Sequence, residues 1–242
     1  MKCNLRILLS LILLTMVCAA HGRTYLVAVG VNNYSYFGGK VENLTAAKSD
    51  AYAVAELYVR KSNAEYMLLC DKNATTGSIL NAVRRMAQSA GPNDRLVFYF
   101  SGHGYRNGVV GYNGQVSFAD IRKALGQSKS GTKIMIVDAC NSGGSRKSGK
   151  TGSSAYNSAK KSDVMLFLSS RDNETSKEIP YKGHGLFTYW MLRGLEGEAD
   201  TNRDGKVSAK EIYNFVHTSV TKSQKNQHPV MWGNFNGNMS VL

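Results

Sequence analysis

The sequence predicts an α/β chain, a three-layer sandwich with a mostly parallel central sheet of about six strands. Three observations predict it. Short apolar runs rich in β-branched and aromatic residues recur along the chain. Amphipathic stretches with helical spacing separate the first four of these runs. The length of 242 residues suits one good-sized domain and is too short for two comfortable ones.

The five strand-like runs are TYLVAVGV (24–31), EYMLLC (65–70), RLVFYF (95–100), KIMIVDA (133–139) and DVMLFLSS (163–170). Apolar runs of this length suit strands buried on both faces, as a parallel sheet requires. Between the first two, residues 46–58 place Ala47, Ala51, Val54, Ala55 and Tyr58 at helical spacing. Residues 79–86 repeat the pattern behind Thr75 and Thr76, and a third helix opens at Ser117 and ends near Gly126. GVVGYNGQVS (108–117), with its Asn-Gly pair, reads as a small hairpin inserted after the third strand. Residues 141–162 are rich in Ser, Gly and Lys and predict a mobile basic loop. A polar loop over 171–183 leads to an amphipathic helix over 186–195. A last helix over 208–221 precedes a tail rich in Gly and Asn.

Residues 1–22 stand apart. Lys2 and Arg6 precede an apolar run over 7–17 and then small residues, the layout of a secretory signal peptide. It is too short to span a membrane as a mature helix. The domain then covers 23–242, and the mature chain is expected to be secreted or periplasmic, soluble and monomeric. Membrane attachment would need lipidation at Cys18, which Thr15-Met16-Val17 suits poorly as a lipobox. Loss of Lys2 and Arg6 takes the formal charge from +13 to +11. The cations are spread out and no nucleic-acid motif accompanies them, so they read as a solvated basic surface with no nucleic-acid partner. Cys70 and Cys140 are the thiols beyond the signal region, and both end predicted strands. One disulfide is the ordinary reading for a secreted chain. Here both are expected to be free, with Cys70 in the core.

In a parallel sheet, functional groups collect at the carboxyl ends of the strands. RLVFYF runs into Ser101-Gly102-His103-Gly104, and KIMIVDA runs into Cys140-Asn141-Ser142-Gly143-Gly144. If these two strands are neighbours, His103 and Cys140 face one another across the sheet edge. A thiolate attacking a carbonyl needs an imidazole within reach to handle protons. Backbone N–H groups of Gly104 and Cys140 are placed to hold the developing oxyanion. Either residue alone reads blandly, the Cys as inert core and the Gly-flanked His as loop. For that reason His184, between Gly183 and Gly185 after a polar loop, is read as a loop residue. The coincidence of two comparable strand ends carries the functional reading.

SGHG after one strand and DACNSG after the next resemble the His and Cys boxes of the caspase-like cysteine peptidases, the clan of caspases, metacaspases and clostripain-like enzymes. TYLVAVGVNNY resembles the first strand of that domain, LTAAKSDAYAVAELY its first helix, and GLFTYWMLRGL the helix after the catalytic strands. The resemblance extends over most of the mature chain. It implies a caspase-like sandwich and a cysteine endopeptidase, with His103 and Cys140 as the dyad and Gly104 as an oxyanion donor. It also implies protein or peptide substrates, and no cofactor for the chemistry. The caspase signature has Gln-Ala-Cys, with the His about fifty residues upstream. Here Asp138 stands two before Cys140, and His103 lies closer. A carboxylate in a specificity pocket repels a substrate aspartate and favours Arg or Lys, Arg being able to bind in bidentate fashion. Resemblance to metacaspases makes Asp50 a second acid of that pocket, an exposed helix acid being the alternative. Ser169 and Asp172, after the fifth strand, are expected to line the same cleft.

Arg146, Lys147, Lys150, Lys160 and Lys161 would suit self-processing by such an enzyme, and an uncut solvated loop is the equal alternative. For the chain as a whole, the rival reading is a catalytically silent caspase-fold binding module. A phosphate-binding domain is disfavoured because neither glycine loop has the required spacing.

DTNRDGKVSAKE (200–211) matches the twelve-residue EF-hand loop. Asp200, Asn202 and Asp204 take positions one, three and five, Gly205 six, the Lys206 carbonyl seven and Glu211 twelve. Arg203 and Lys206 inside the loop and the lack of a paired hand weigh against calcium. The alternative is a turn held by Asx-type hydrogen bonds.

Overall fold

The computed structural model of the protein describes residues 22–140, 163–171 and 174–242. Residues 1–21 of the expected signal peptide, the basic loop and the candidate Asp172 lie outside the described residues. In chain order the elements begin β1 (Thr24–Gly30), α1 (Ala47–Ser62), β2 (Glu65–Cys70), α2 (Thr76–Ser89) and β3 (Arg95–Ser101). Three short strands follow, β4 (Gly104–Tyr105), β5 (Gly108–Gly111) and β6 (Gly114–Ser117), then α3 (Phe118–Gly126), β7 (Thr132–Asp138) and β8 (Val164–Leu168). The chain closes with β9 (Glu178–Ile179), β10 (His184–Gly185), α4 (Leu186–Arg193), α5 (Ala209–Ser223) and β11 (Val230–Trp232).

The central sheet has six strands in the order β11-β8-β7-β3-β1-β2. All neighbours are parallel except β11, which pairs antiparallel with β8. The expected mixed α/β fold is therefore present, and the third and fourth strand-like runs are neighbours. The sixth strand comes from the tail, where three residues are too few to display a period. The expected hairpin is a three-stranded meander of β4, β5 and β6.

Alternation along the strands builds two cores. Tyr25, Val27 and Val29 of β1, Leu96, Phe98 and Phe100 of β3, and Met135 and Val137 of β7 pack beneath α2 and α3. Their neighbours Leu26, Ala28, Val97, Tyr99, Ile134 and Ile136 face α1, α4 and α5. The period of two follows from the pleat. Continued by one residue, it sends Ser101 after Phe100, and Asp138 after Val137, toward the α1/α4 layer. Polar side chains thus leave the strand ends on the face where a helix can meet them.

Local capping explains where most helices begin. The Thr75 hydroxyl accepts from Ser78 N at 3.1 Å and the Ser117 hydroxyl from Asp120 N at 3.0 Å. Ser208 and Glu211 form a reciprocal capping box at α5. Helix α1 differs, since Ala46 at its N-cap has no side chain to offer. Glu178, distant in sequence, accepts from Ala46 N at 2.8 Å and Thr45 N at 3.1 Å instead. A carboxylate there also complements the positive end of the helix.

Helix α1 lies close over the carboxyl end of β1 because Gly30 has no side chain. A methyl at Gly30 would fall inside contact distance of the Ala47 carbonyl and the Ala51 methyl. Gly30→Ala is expected to lower stability by about 1–3 kcal/mol, the cost of overpacking, and to displace the first turn of α1, which carries Asp50. Urea unfolding of the two proteins measures the first effect.

Candidate active site

The site lies at the carboxyl edge of the sheet, where β3 and β7 end in register with Ser101 opposite Asp138. Gly102 N donates to the Asp138 carbonyl at 3.1 Å, extending the ladder into both loops. Two residues beyond that register lie His103 and Cys140. Both line a cavity of about 60 Å3 together with Asp50, Asp138, Ser176 and Gly185.

The orientation of His103 is set from below. Its ring packs on Tyr34 with centroids 4.7 Å apart, and its backbone N–H donates to the Tyr34 hydroxyl at 2.8 Å. That hydroxyl donates in turn to the Val110 carbonyl at 3.3 Å. Burial pushes Tyr34 well above the ordinary phenol range, so it remains a donor. His103 Nε2 lies 2.8 Å from the Glu42 carbonyl. A carbonyl only accepts, so Nε2 carries the proton and a neutral ring keeps its lone pair on Nδ1.

Cys140 is half-buried, and its thiol donates to the Ser176 carbonyl at 3.7 Å. Burial pushes the Cys140 thiol up, which favours the thiol over the thiolate. Gly104 backs onto this loop, and a methyl there would collide with the Cys140 carbonyl and press on the Ala139 methyl. Close approach of the two loops requires glycine at that position. Cys70 ends β2 on the far side of β1, where it is half-buried rather than in the core as expected, and neither thiol is in a disulfide.

Beside the thiol two carboxylates are buried together. Asp50 accepts from Ser101 Oγ at 2.9 Å, from His184 Nδ1 at 2.8 Å and from Gly185 N at 3.2 Å. Asp138 accepts from Ser176 Oγ at 2.6 Å, Thr188 Oγ1 at 2.7 Å and Thr188 N at 3.1 Å. The Tyr99 hydroxyl lies 2.6 Å from Thr188 Oγ1. Thr188 gives its only hydroxyl proton to Asp138, so Tyr99 must donate to Thr188. Both carboxylates reach Gly185, where a methyl would collide with Asp138 Oδ2 and press on Asp50 Oδ2. Burial raises both acids, and the charge of Asp50 adds to the rise in Asp138, which is pushed up to about 6.

The family model of the caspase domain matches residues 23–238. The chain belongs to the caspase-domain family. A crystal structure of a protein from Geobacter sulfurreducens resembles it with a TM-score of 0.67 and 17% identity, covering 90% of this chain and 98% of that one. At such identity the likeness speaks for the fold alone. No curated protein matches. Membership supports a cysteine-type peptidase at the coarse level.

Within this caspase domain the structure gathers His103, Cys140, Asp50 and Asp138 around one cavity, with Gly104 against the Cys140 backbone. Two further expectations need correction. Ser169 does not form a wall of the cleft. It is fully buried, accepting from Ala139 N and donating to the Ala139 carbonyl, both at 3.1 Å, and so braces the residue before Cys140. Nor is His184 an idle loop residue. A two-residue ladder between β9 and β10 turns it inward onto Asp50. Its neighbour Gly185 was a usable signal, because close packing against two buried carboxylates accompanies it. Ser101, Ser176 and Thr188 carry no sequence signal beyond their polarity.

The 200–211 loop is closed by its own backbone. Asp200 Oδ2 accepts from Gly205 N at 2.9 Å, Asn202 Oδ1 from Asp204 N at 3.0 Å and Asp204 Oδ1 from Lys206 N at 2.9 Å. Glu211 accepts from Thr201, Asn202 and Ser208. Among the described residues no group of three His, Cys, Asp or Glu side chains is placed to hold a metal ion. These Asx-type bonds account for the turn, and calcium stays an expectation of the twelve-residue pattern.

The raised Asp138 has a consequence for stability. A carboxyl whose folded pKa of about 6 lies above its unfolded value of about 3.9 binds protons more tightly when folded. It therefore opposes folding above about pH 6, and the penalty disappears as pH falls toward 4. Asp138→Asn removes that titration. Its stability relative to the parent should rise by about 1–2 kcal/mol between pH 5 and pH 8, read from urea unfolding of both proteins at each pH.

Proposed function

We propose that this caspase-domain chain is a cysteine endopeptidase that cleaves after Arg or Lys. The observation that carries the reading is the pair of buried carboxylates, Asp50 and Asp138, lining the same cavity as an imidazole and a thiol. In this reading Cys140 yields its proton to Nδ1 of His103 as the sulfur attacks the scissile carbonyl carbon. The N–H groups of Gly104 and Cys140 hold the oxyanion. The C–N bond then breaks, the His103 proton passes to the leaving amine, and water attacking the thioester releases the acid and restores the thiol. No cofactor enters this sequence of steps.

The basic side chain of the substrate lies against the acid pair. Glycine at 185 lets both carboxylates pack against its backbone at the cavity wall, and a cation in that cavity offsets the burial and the repulsion that together raise Asp138. An aspartate in the same place would add a third negative charge, which disfavours caspase-type specificity. The reading also has the mature chain exported after loss of residues 1–22, and acting on its own basic loop over 141–162. The alternative is a silent caspase-fold binding module. The presence of both His103 and Cys140 weighs against it, since a module that only binds has no need of either.

The test uses matched fluorogenic peptides ending in Arg, Lys or Asp. The parent is expected to cut after Arg and Lys, with kcat/KM falling as pH drops through about 6 and Asp138 takes up a proton. Cys140→Ala should abolish turnover. Asp138→Asn should cost at least about thirtyfold in kcat/KM for basic peptides, since truncating a buried charge partner costs about 2 kcal/mol or more. Cleavage after Asp would overturn the pocket and keep the peptidase. A chain that cuts none of the three favours the binding module.

A further inference from the structure

We infer that Gln227 is a positioning residue that holds the Ser176–Lys177 backbone over the Cys140 thiol and aims the Ser176 hydroxyl at Asp138. The functional part of this inference rests on the peptidase reading above. The geometric part does not.

Gln227 is fully buried, at 0% exposure, in the segment between α5 and β11. A primary amide offers two donors and one acceptor site with two lone pairs, and burial obliges it to find partners for them. Here the partners are specific. Gln227 Oε1 accepts from Lys177 N at 3.1 Å. Gln227 Nε2 donates to the Ser169 carbonyl at 3.2 Å and to Ser176 Oγ at 3.1 Å. The first of these donor bonds anchors Gln227 to the residue that braces Ala139. The other two bonds reach across to the segment over the cleft.

Ser176 lies where these contacts matter. Its hydroxyl takes one proton from Gln227 and gives its own to Asp138 at 2.6 Å, while its carbonyl accepts the Cys140 thiol. An accepted hydrogen bond from Nε2 leaves the hydroxyl proton only the Asp138 direction, so the amide sets the polarity of the bond to the acid. The adjacent residue grips the same segment. His228 N donates to Glu174 Oε2 and His228 Nδ1 pairs with Glu174 Oε1, both at 2.8 Å. Just beyond, Val230 pairs with Leu168 in the sheet. The clamp is thus fastened to the central sheet at one end and to the site at the other. A site held by packed, hydrogen-bonded neighbours on a rigid element keeps its geometry better than one left on a loop.

The test compares the full chain with Gln227→Met, which keeps the length and apolar bulk of the side chain and removes all three hydrogen bonds. Alkylation by iodoacetamide, resolved by peptide mapping, reads Cys140 and Cys70 separately in the same sample. Release of the Ser176 carbonyl is expected to speed alkylation of Cys140 several-fold while leaving Cys70 within about twofold. Equal acceleration at both thiols, or none at Cys140, overturns the inference, because global loosening does not discriminate between distant thiols. Turnover of the Arg peptide supplies the second reading. Gln227→Met and Ser176→Ala should each lower kcat/KM by about tenfold or more, the scale of a lost buried hydrogen bond. The double variant should lose no more than either single one, as expected of residues acting through one another. Losses that multiply overturn the inference even if both variants fold. If the parent cuts no peptide, the peptidase reading fails, and the alkylation ratio still decides whether Gln227 governs Cys140.

Discussion

Two carboxylates buried side by side are the constraint on which the site depends. Asp50 on α1 and Asp138 at the end of β7 are buried where like charges repel strongly and water screens them poorly. Such a pair persists only if the surrounding structure supplies donors, and it does so from every side. Ser101 comes from β3, His184 and Gly185 from β10, Thr188 from α4 and Ser176 from the segment before β9. The residual cost remains visible in the raised Asp138. A cationic ligand offsets that cost more directly than any arrangement of neutral donors.

The stretch from Ser169 to Thr188 does much of this work, and it does so without much regular structure. Ser169 supports Ala139 and Ser176 reaches both Asp138 and the thiol. Glu178 caps α1, the helix that carries Asp50. One segment therefore positions the acids, the thiol and the helix that brings the acids together. Because these contacts share residues, a change at one of them propagates to the others. The segment is itself held by Gln227 and His228, whose side chains and backbone link it to the β8 edge of the sheet.

The imidazole is governed separately. Tyr34 lies beneath His103, bonded to its backbone and in ring contact with its side chain, and the Glu42 carbonyl selects the tautomer. Imidazole and thiol thus arrive on different supports, His103 on the loop after β3 and Cys140 on the loop after β7. Their alignment is set by the register of those two strands, with Ser101 opposite Asp138. Glycine at 104 permits the two loops to touch. Precision at the site is inherited from the central pair of strands in the sheet.

The strands, the helices and the His103–Cys140 pairing are legible in the amino-acid order because they rest on local patterns. Apolar period, cap residues and the polar break after a buried strand all lie within a few neighbours of one another. Asp138 is legible too, since its alternation with Ile134 and Ile136 gives its face. The strand at Val230–Trp232, the cap that Glu178 gives α1, the inward turn of His184 and the brace at Ser169 are not. Each depends on a partner distant in the chain, brought near only when strand order and helix packing are complete. Burial of a polar side chain is a property of the assembled layers, and no run of neighbouring residues encodes it. The sequence alone thus determined which residues could do chemistry, and the tertiary structure decided which hydrogen-bond partners hold them, because those partners meet only through long-range contacts.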